Sequence, residues 1–174
     1  PPEAGIQGPT GFIHPVIDGE ATNYFEWIGA GLVDVEPAGD AMHEVSAHPN
    51  VIRGLEFGFD TQNLYVKVAG AGAMRDALTL DRQLSLNFLK PEGYRIVISG
   101  DAGAVRAEVT ERPRGGRDAT RSCPDISVAA GRLLEIQVPF QCLGVSKDAT
   151  VAFIVAVNHR ASEVEHYPRH QPIE

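Results

Sequence analysis

The residues best suited to chemistry gather between Asp18 and Trp27. Tyr24, Phe25, Glu26 and Trp27 are consecutive, and Trp27 is the only tryptophan of the chain. A sugar is recognised by an aromatic face laid against the C–H face of a pyranose, beside carboxylates or amides that bond its hydroxyls, and this run holds both kinds of group. Tyr65 is a further aromatic candidate. The run also has a plainer use: on an extended strand Trp27 and Phe25 would share one face and enter a core, leaving Tyr24 and Glu26 on the other. Both uses stay open at this level. Calcium takes hard oxygen ligands from turns, which makes Asp18, Glu20, Asp60 and Asn63 its candidates. Asp18-Gly19 and Asp60 serve equally well as turn formers whose side chains bond nearby backbone.

Catalysis has less to work with. Glycoside hydrolysis needs two carboxylates in opposed protonation states across a cleft, and 23 acidic residues supply carboxylates without marking a pair. No nucleophile elbow, phosphate loop or zinc-protease helix is present. His14, His43, His48, His159, His166 and His170 lie on different segments with no metal-ligand spacing, and Cys123 and Cys142 have none either. The two cysteines can pair with each other or stay reduced. The chain is read as non-catalytic.

The elements that must position these residues are strands. Runs rich in Val, Ile, Leu, Phe and Tyr recur about every ten residues between Gly, Pro, Asn and Asp clusters, the spacing of an all-β sandwich. Val51–Asp60 and Asn63–Val68 alternate and are joined by a short polar turn, which predicts an antiparallel hairpin. Further strands are expected at Gln83–Leu89, Tyr94–Ser99, Val105–Thr110, Leu133–Val138 and Val151–Asn158, for eight or more in total. Val151–Val157 is apolar at nearly every position and should be a central strand covered on both faces. Helix is confined to a turn or two at Ala73–Thr79 and Phe140–Leu143. Glu111–Pro124, with four arginines and two glycines, is expected to be an exposed, mobile loop.

At 174 residues and 43% hydrophobic content, the chain supports one core, and residues 1–174 read as a single module. A net charge of −8 opposes phosphate backbones and anionic membranes, so nucleic acid and membrane surfaces are not expected partners. No apolar run reaches the roughly 20 residues of a membrane helix. The N-terminal residues lack the basic and apolar regions of a signal peptide, which favours a cytoplasmic location. The missing start methionine and the ending at HQPIE suggest a piece of a longer chain.

The order of several elements resembles a known family. IHPVIDGEATNYFEWIGAG at Ile13–Gly31, AMH at Ala41–His43, the FGFDTQNLYVKV hairpin at Phe57–Val68 and VPFQCLGV at Val138–Val145 are similar to the C-terminal accessory domain of glycoside hydrolase family 57 enzymes. The likeness spans roughly Phe12 to Ile173. That domain is a β-sandwich similar to the glucodextranase C-terminal domain, family 9 carbohydrate-binding modules and DOMON domains. The resemblance implies a DOMON-like antiparallel β-sandwich of the immunoglobulin or jelly-roll type. It also implies a module that binds an α-glucan-type polysaccharide or oligosaccharide, or shapes the cleft of its parent's catalytic domain. A purely structural appendage packed on a catalytic barrel, with or without calcium, is the alternative, and it calls for a large exposed apolar patch. The catalytic acids of the family lie in a separate barrel. Family 9 modules clamp sugar between paired tryptophans, and this chain has only Trp27. DOMON domains of cytochromes hold haem with Met and His; adjacent Met42 and His43 cannot both face one iron from one strand, whereas Met74 with His159 could.

Overall fold

A computed structural model describes residues 5–21, 24–35, 50–112, 114–146, 148–169 and 171–174, with Tyr24 described by its backbone alone. Strands dominate, and they form two antiparallel six-stranded sheets. The front sheet has the order β1 (Ile6–Gln7), β2 (Gly31–Val33), β3 (Ile52–Phe59), β4 (Asn63–Gly70), β10 (Leu133–Pro139), β9 (Ser127–Ala130). The back sheet runs β12 (Ser162–Tyr167), β11 (Ala152–His159), β5 (Arg82–Lys90), β6 (Tyr94–Asp101), β7 (Ala104–Glu111), β8 (Ala119–Arg121). The expected single β-sandwich is the architecture observed.

Alternation sets which side chains fill the space between the sheets. Leu55 and Phe57 of β3, Leu64, Val66 and Val68 of β4, and Leu134, Ile136 and Val138 of β10 enter from the front. From the back come Leu84, Leu86 and Phe88 of β5, Ile96 and Ile98 of β6, and Phe153, Val155 and Val157 of β11. Each residue between these faces outward, because successive side chains on a strand point to opposite sides. The expected hairpin forms with Phe59 opposite Leu64, and Val151–Asn158 becomes β11, flanked by β5 and β12. The two helical expectations resolve into one α-turn, α1 (Met74–Ala77), and a 3₁₀ turn at Phe140–Leu143 that ends on left-handed Gly144.

Two expectations change. Glu111–Pro124 is exposed, but it is not a free loop: β8 pairs with β7, Arg112 makes two bonds to Asp118 of 2.7 and 3.1 Å, and Cys123 is bonded to Cys142. The disulfide ties the edge of the back sheet to the turn that follows β10 in the front sheet. The second change concerns Tyr24–Trp27, which forms a 3₁₀ turn instead of a strand. Strand alternation therefore does not apply there. Trp27 is buried while Phe25 is 72% exposed. Among the described residues, no helix is long and apolar enough to cross a membrane.

Candidate functional site

Residues 10–21 and 24–30 cross the outer face of the front sheet. Thr10 N–H bonds the Gly29 carbonyl at 2.9 Å, Ile13 N–H bonds the Phe59 carbonyl of β3 at 3.2 Å, and Leu133 N–H of β10 bonds the Gly19 carbonyl at 2.9 Å. Two glycines make the close approach feasible. A Cβ at Gly19, whose φ is +76°, would lie 2.6 Å from the Gly131 nitrogen, and one at Gly58 would meet the Ile13 Cδ1 at the same distance. Ile13, Trp27 and Tyr65 then form a small second core between the segment and the sheet.

The outward positions beneath the segment carry a row of charge. Register places Glu56 of β3 opposite Lys67 of β4, and Lys67 opposite Glu135 of β10. Glu135 is 0% exposed. Its Oε1 accepts from Gly19 N–H at 2.7 Å and Asp18 N–H at 3.2 Å, and its Oε2 accepts from the Trp27 indole N–H at 2.9 Å. Burial pushes this carboxyl above its ordinary range, while those three donors pull against the shift. Lys67 Nζ lies 2.5 Å from Glu56 and 5.0 Å from the Trp27 ring centroid, so one face of the indole is taken by a cation.

Beside this row opens a cavity of about 330 Å³ lined by Glu20, Glu26, the rim of Trp27, Ile28, Glu56 and Lys67. Carboxylates accept from hydroxyls and the ammonium donates to them, while Trp27 and Ile28 supply apolar surface. Such a mixture suits a neutral polyhydroxylated ligand. Exposed Phe25 belongs to the same 3₁₀ turn as Glu26 and Trp27.

The other candidates close turns. Asp18 Oδ1 accepts the Glu20 N–H at 2.9 Å, and Glu20 Oε1 accepts the Arg132 N–H at 3.3 Å. Asp60 caps the β3–β4 hairpin: Gln62 and Asn63 N–H groups reach its Oδ1 at 2.8 and 2.7 Å, and the Tyr65 hydroxyl donates to Oδ2 at 2.5 Å. Burial would raise the Asp60 carboxyl, yet these bonds together hold it below its ordinary value. Burial and the Asp60 charge push the Tyr65 phenol up to about 12. Tyr65, 4% exposed, is thus joined with Trp27 in the small core, whereas the Asp18–Glu20 and Asp60–Asn63 pairs serve separate turns. No group of three or more His, Cys, Asp or Glu among the described residues is arranged to hold a metal.

Two of the described histidines meet carboxylates, His14 with Asp60 at 3.2 Å and His166 with Glu163 at 3.0 Å. Met74 sits in α1 against β4 and β10, while His159 ends β11 in the opposite sheet. Met42 and His43 lie outside the described residues. Ile28, Glu56, Lys67 and Glu135 are members of the site that the sequence reading did not select. Against known proteins, the chain matches no family model, and no curated protein is similar to it at a significant level.

Proposed function

We propose that this sandwich is a non-catalytic carbohydrate-binding or cleft-supporting module of a glycoside hydrolase acting on α-glucan-type polysaccharide. The observation that supports it is the cavity in which Glu20, Glu26, Glu56 and Lys67 surround the rims of Trp27 and Ile28. With one indole face under Lys67, Trp27 orients and walls the cavity, and Phe25, 72% exposed, belongs to the same 3₁₀ turn. Among the described residues, only Glu135 combines burial with a raised carboxyl, as a catalytic acid would need, and its oxygens are engaged by Asp18, Gly19 and Trp27. That engagement favours binding over catalysis. The Cys123–Cys142 disulfide is a reason to place the domain in an oxidising compartment instead of the cytoplasm.

A second reading, a structural domain packed on a catalytic barrel, draws on the exposed apolar side chains. Phe12 is 57% exposed and stacks edge-on to Phe59 with ring centroids 5.5 Å apart, and Ile28 and Leu32 are exposed as well. Calorimetric titration with malto-, cello- and xylo-oligosaccharides, on the parent domain and on a folded Phe25→Ala variant, separates the two. Binding of maltooligosaccharide weakened by up to about tenfold in the variant supports the sugar module, since one aromatic contact contributes that much. Absence of heat with every sugar moves the domain to the structural class.

A further inference from the structure

The outer face of the back sheet carries polar groups of a different kind. Asn87 of β5 stands opposite Arg95 of β6, and Arg95 opposite Thr110 of β7. All three point away from the core, because Leu86, Phe88, Ile96 and Val109 beside them point into it. Above them runs a groove of about 420 Å³, bounded by Asn158, Ala161 and Glu163 on one side and by Thr110, Arg112 and Asp118 on the other. Its walls are fixed by their own bonds: Asn158 Nδ2 donates to Ser85 Oγ at 3.0 Å, Arg112 pairs with Asp118, and Glu163 pairs with His166.

At the floor, two buried polar atoms have no hydrogen-bond partner among the described residues: the acceptor Asn87 Oδ1 and the donor Arg95 Nε. Folded proteins seldom leave such groups unpaired, because each forfeits the bonds it had with water. The two side chains belong to directly paired residues yet do not bond each other. One group that donates to Asn87 Oδ1 and accepts from Arg95 Nε would satisfy both.

We infer that this groove is a saccharide-binding site on the back sheet, in which a sugar hydroxyl donates to Asn87 Oδ1 and accepts from Arg95 Nε, with neighbouring hydroxyls meeting Asn158 and Glu163. A hydroxyl both donates and accepts. A phosphate or sulfate would satisfy Arg95 but, having only acceptors when fully ionised, would set its charge against Asn87 Oδ1, Glu163 and Asp118. Ala161 and the edges of Phe88 and Tyr94, which line the groove, add apolar surface for the C–H side of a ring. The ligand class is the one proposed above, and the site is another: it shares no residue with the cavity at Trp27.

The test is nuclear magnetic resonance of the whole domain, following the Arg95 Nε–H and the Asn87 side-chain amide during titration with maltopentaose, cellopentaose and xylopentaose. A saturable shift of both signals with at least one sugar is expected, unchanged in Phe25→Ala, a change in the 3₁₀ turn beside Trp27 on the front face. Asn87→Asp should raise the melting temperature by letting the new carboxylate pair with Arg95, and should weaken groove binding by about tenfold or more. No shift with any of the three sugars at about 50 mM, well into the range of weak recognition, overturns the site. So does undiminished binding in folded Asn87→Asp, or saturation by sodium sulfate in preference to sugar.

Discussion

The two outer faces of this sandwich are built from strands of the same kind and treat their polar groups in opposite ways. On the front face, Glu135 and Asp60 are buried and collect donors from the chain itself: three N–H groups for one, and two N–H groups with a phenol for the other. On the back face, Asn87 Oδ1 and Arg95 Nε are buried and collect nothing among the described residues. The difference lies in what crosses each sheet. Residues 10–21 and 24–30 lie over β3, β4 and β10 and bring their backbone N–H groups with them, whereas the back groove is bordered by Arg112 and Asp118 on one side and by Ala161 and Glu163 on the other. A buried polar atom with an internal partner holds the fold together. One without an internal partner is left for something from outside.

The largest effect should come from breaking the front face at its centre. Glu135→Ala removes the acceptor of the Trp27 indole, Gly19 and Asp18 at once, leaving two buried donors and a partly buried one unpaired, and should cost about 3–5 kcal/mol. Urea unfolding gives the loss. Because Trp27 is the sole tryptophan, its emission reports directly whether residues 10–30 have lifted, and a red shift below the unfolding midpoint is expected. Glu135→Gln, which keeps a carbonyl for part of the set, should cost less than half as much. The contrasting change on the back face is Asn87→Leu, which deletes an unpartnered polar atom and should be neutral or stabilising. If Glu135→Ala costs under about 1 kcal/mol, the covering segment is held by apolar contact and not by the carboxylate.

Next in size is the bond between the sheets. Cys123 and Cys142 are separated by 19 residues, so replacing both with Ser should cost about 3 kcal/mol through the freedom returned to the unfolded chain. The effect should be local in character. Hydrogen exchange ought to speed up first in β8 and the residues before Cys123, while Trp27 emission stays as in the parent until global unfolding. Equal loss of protection in the 10–30 segment would mean that the two faces are not independent.

What could be read from the sequence follows from how far each signal acts along the chain. The alternation that marks β3 to β7, β10 and β11 is local, and these strands fall within a residue or two of expectation. β1, β2 and β8 are two or three residues long, β9 is Ser-Val-Ala-Ala, and β12 begins Ser-Glu-Val-Glu, so none carries enough apolar contrast to register. Glu135 was invisible for another reason: an outward Glu on an alternating strand is ordinarily solvated, and only the distant segment 10–30 buries it. The positions of Phe25 and Trp27 depended on a strand being a 3₁₀ turn, a difference four residues cannot announce. Asn87 and Arg95 likewise gain meaning only from the register of β5 on β6. The disulfide required knowing that the two sheet edges meet.

The smallest effect separates the two front-face carboxylates by their opposite responses to acid. Asp60 is held below its ordinary 3.8, so the folded state binds its proton less readily than the unfolded chain; the stability it contributes is full above that value and is lost as pH falls through its folded pKa. Glu135 lies above its ordinary 4.5, so the folded state binds the proton more readily, and stability declines as pH rises from about 4.5 through its folded value. Tyr65→Phe removes one donor from Asp60 and should cost about 1.5 kcal/mol near neutrality, the scale of a hydrogen bond to a charged group. Because that bond is worth most to the carboxylate, the difference between parent and variant should shrink as pH drops below about 4 and Asp60 takes up its proton. Glu135→Gln should instead flatten the decline above 4.5 and leave the acid limb in place. Urea midpoints across pH 2.5 to 7, a span of about 4 to 5 units around both carboxyls, resolve the two. A Tyr65→Phe difference that stays constant over that range would show that the phenol acts through packing against Ile13 and Trp27, and the front face would then rest on Glu135 alone.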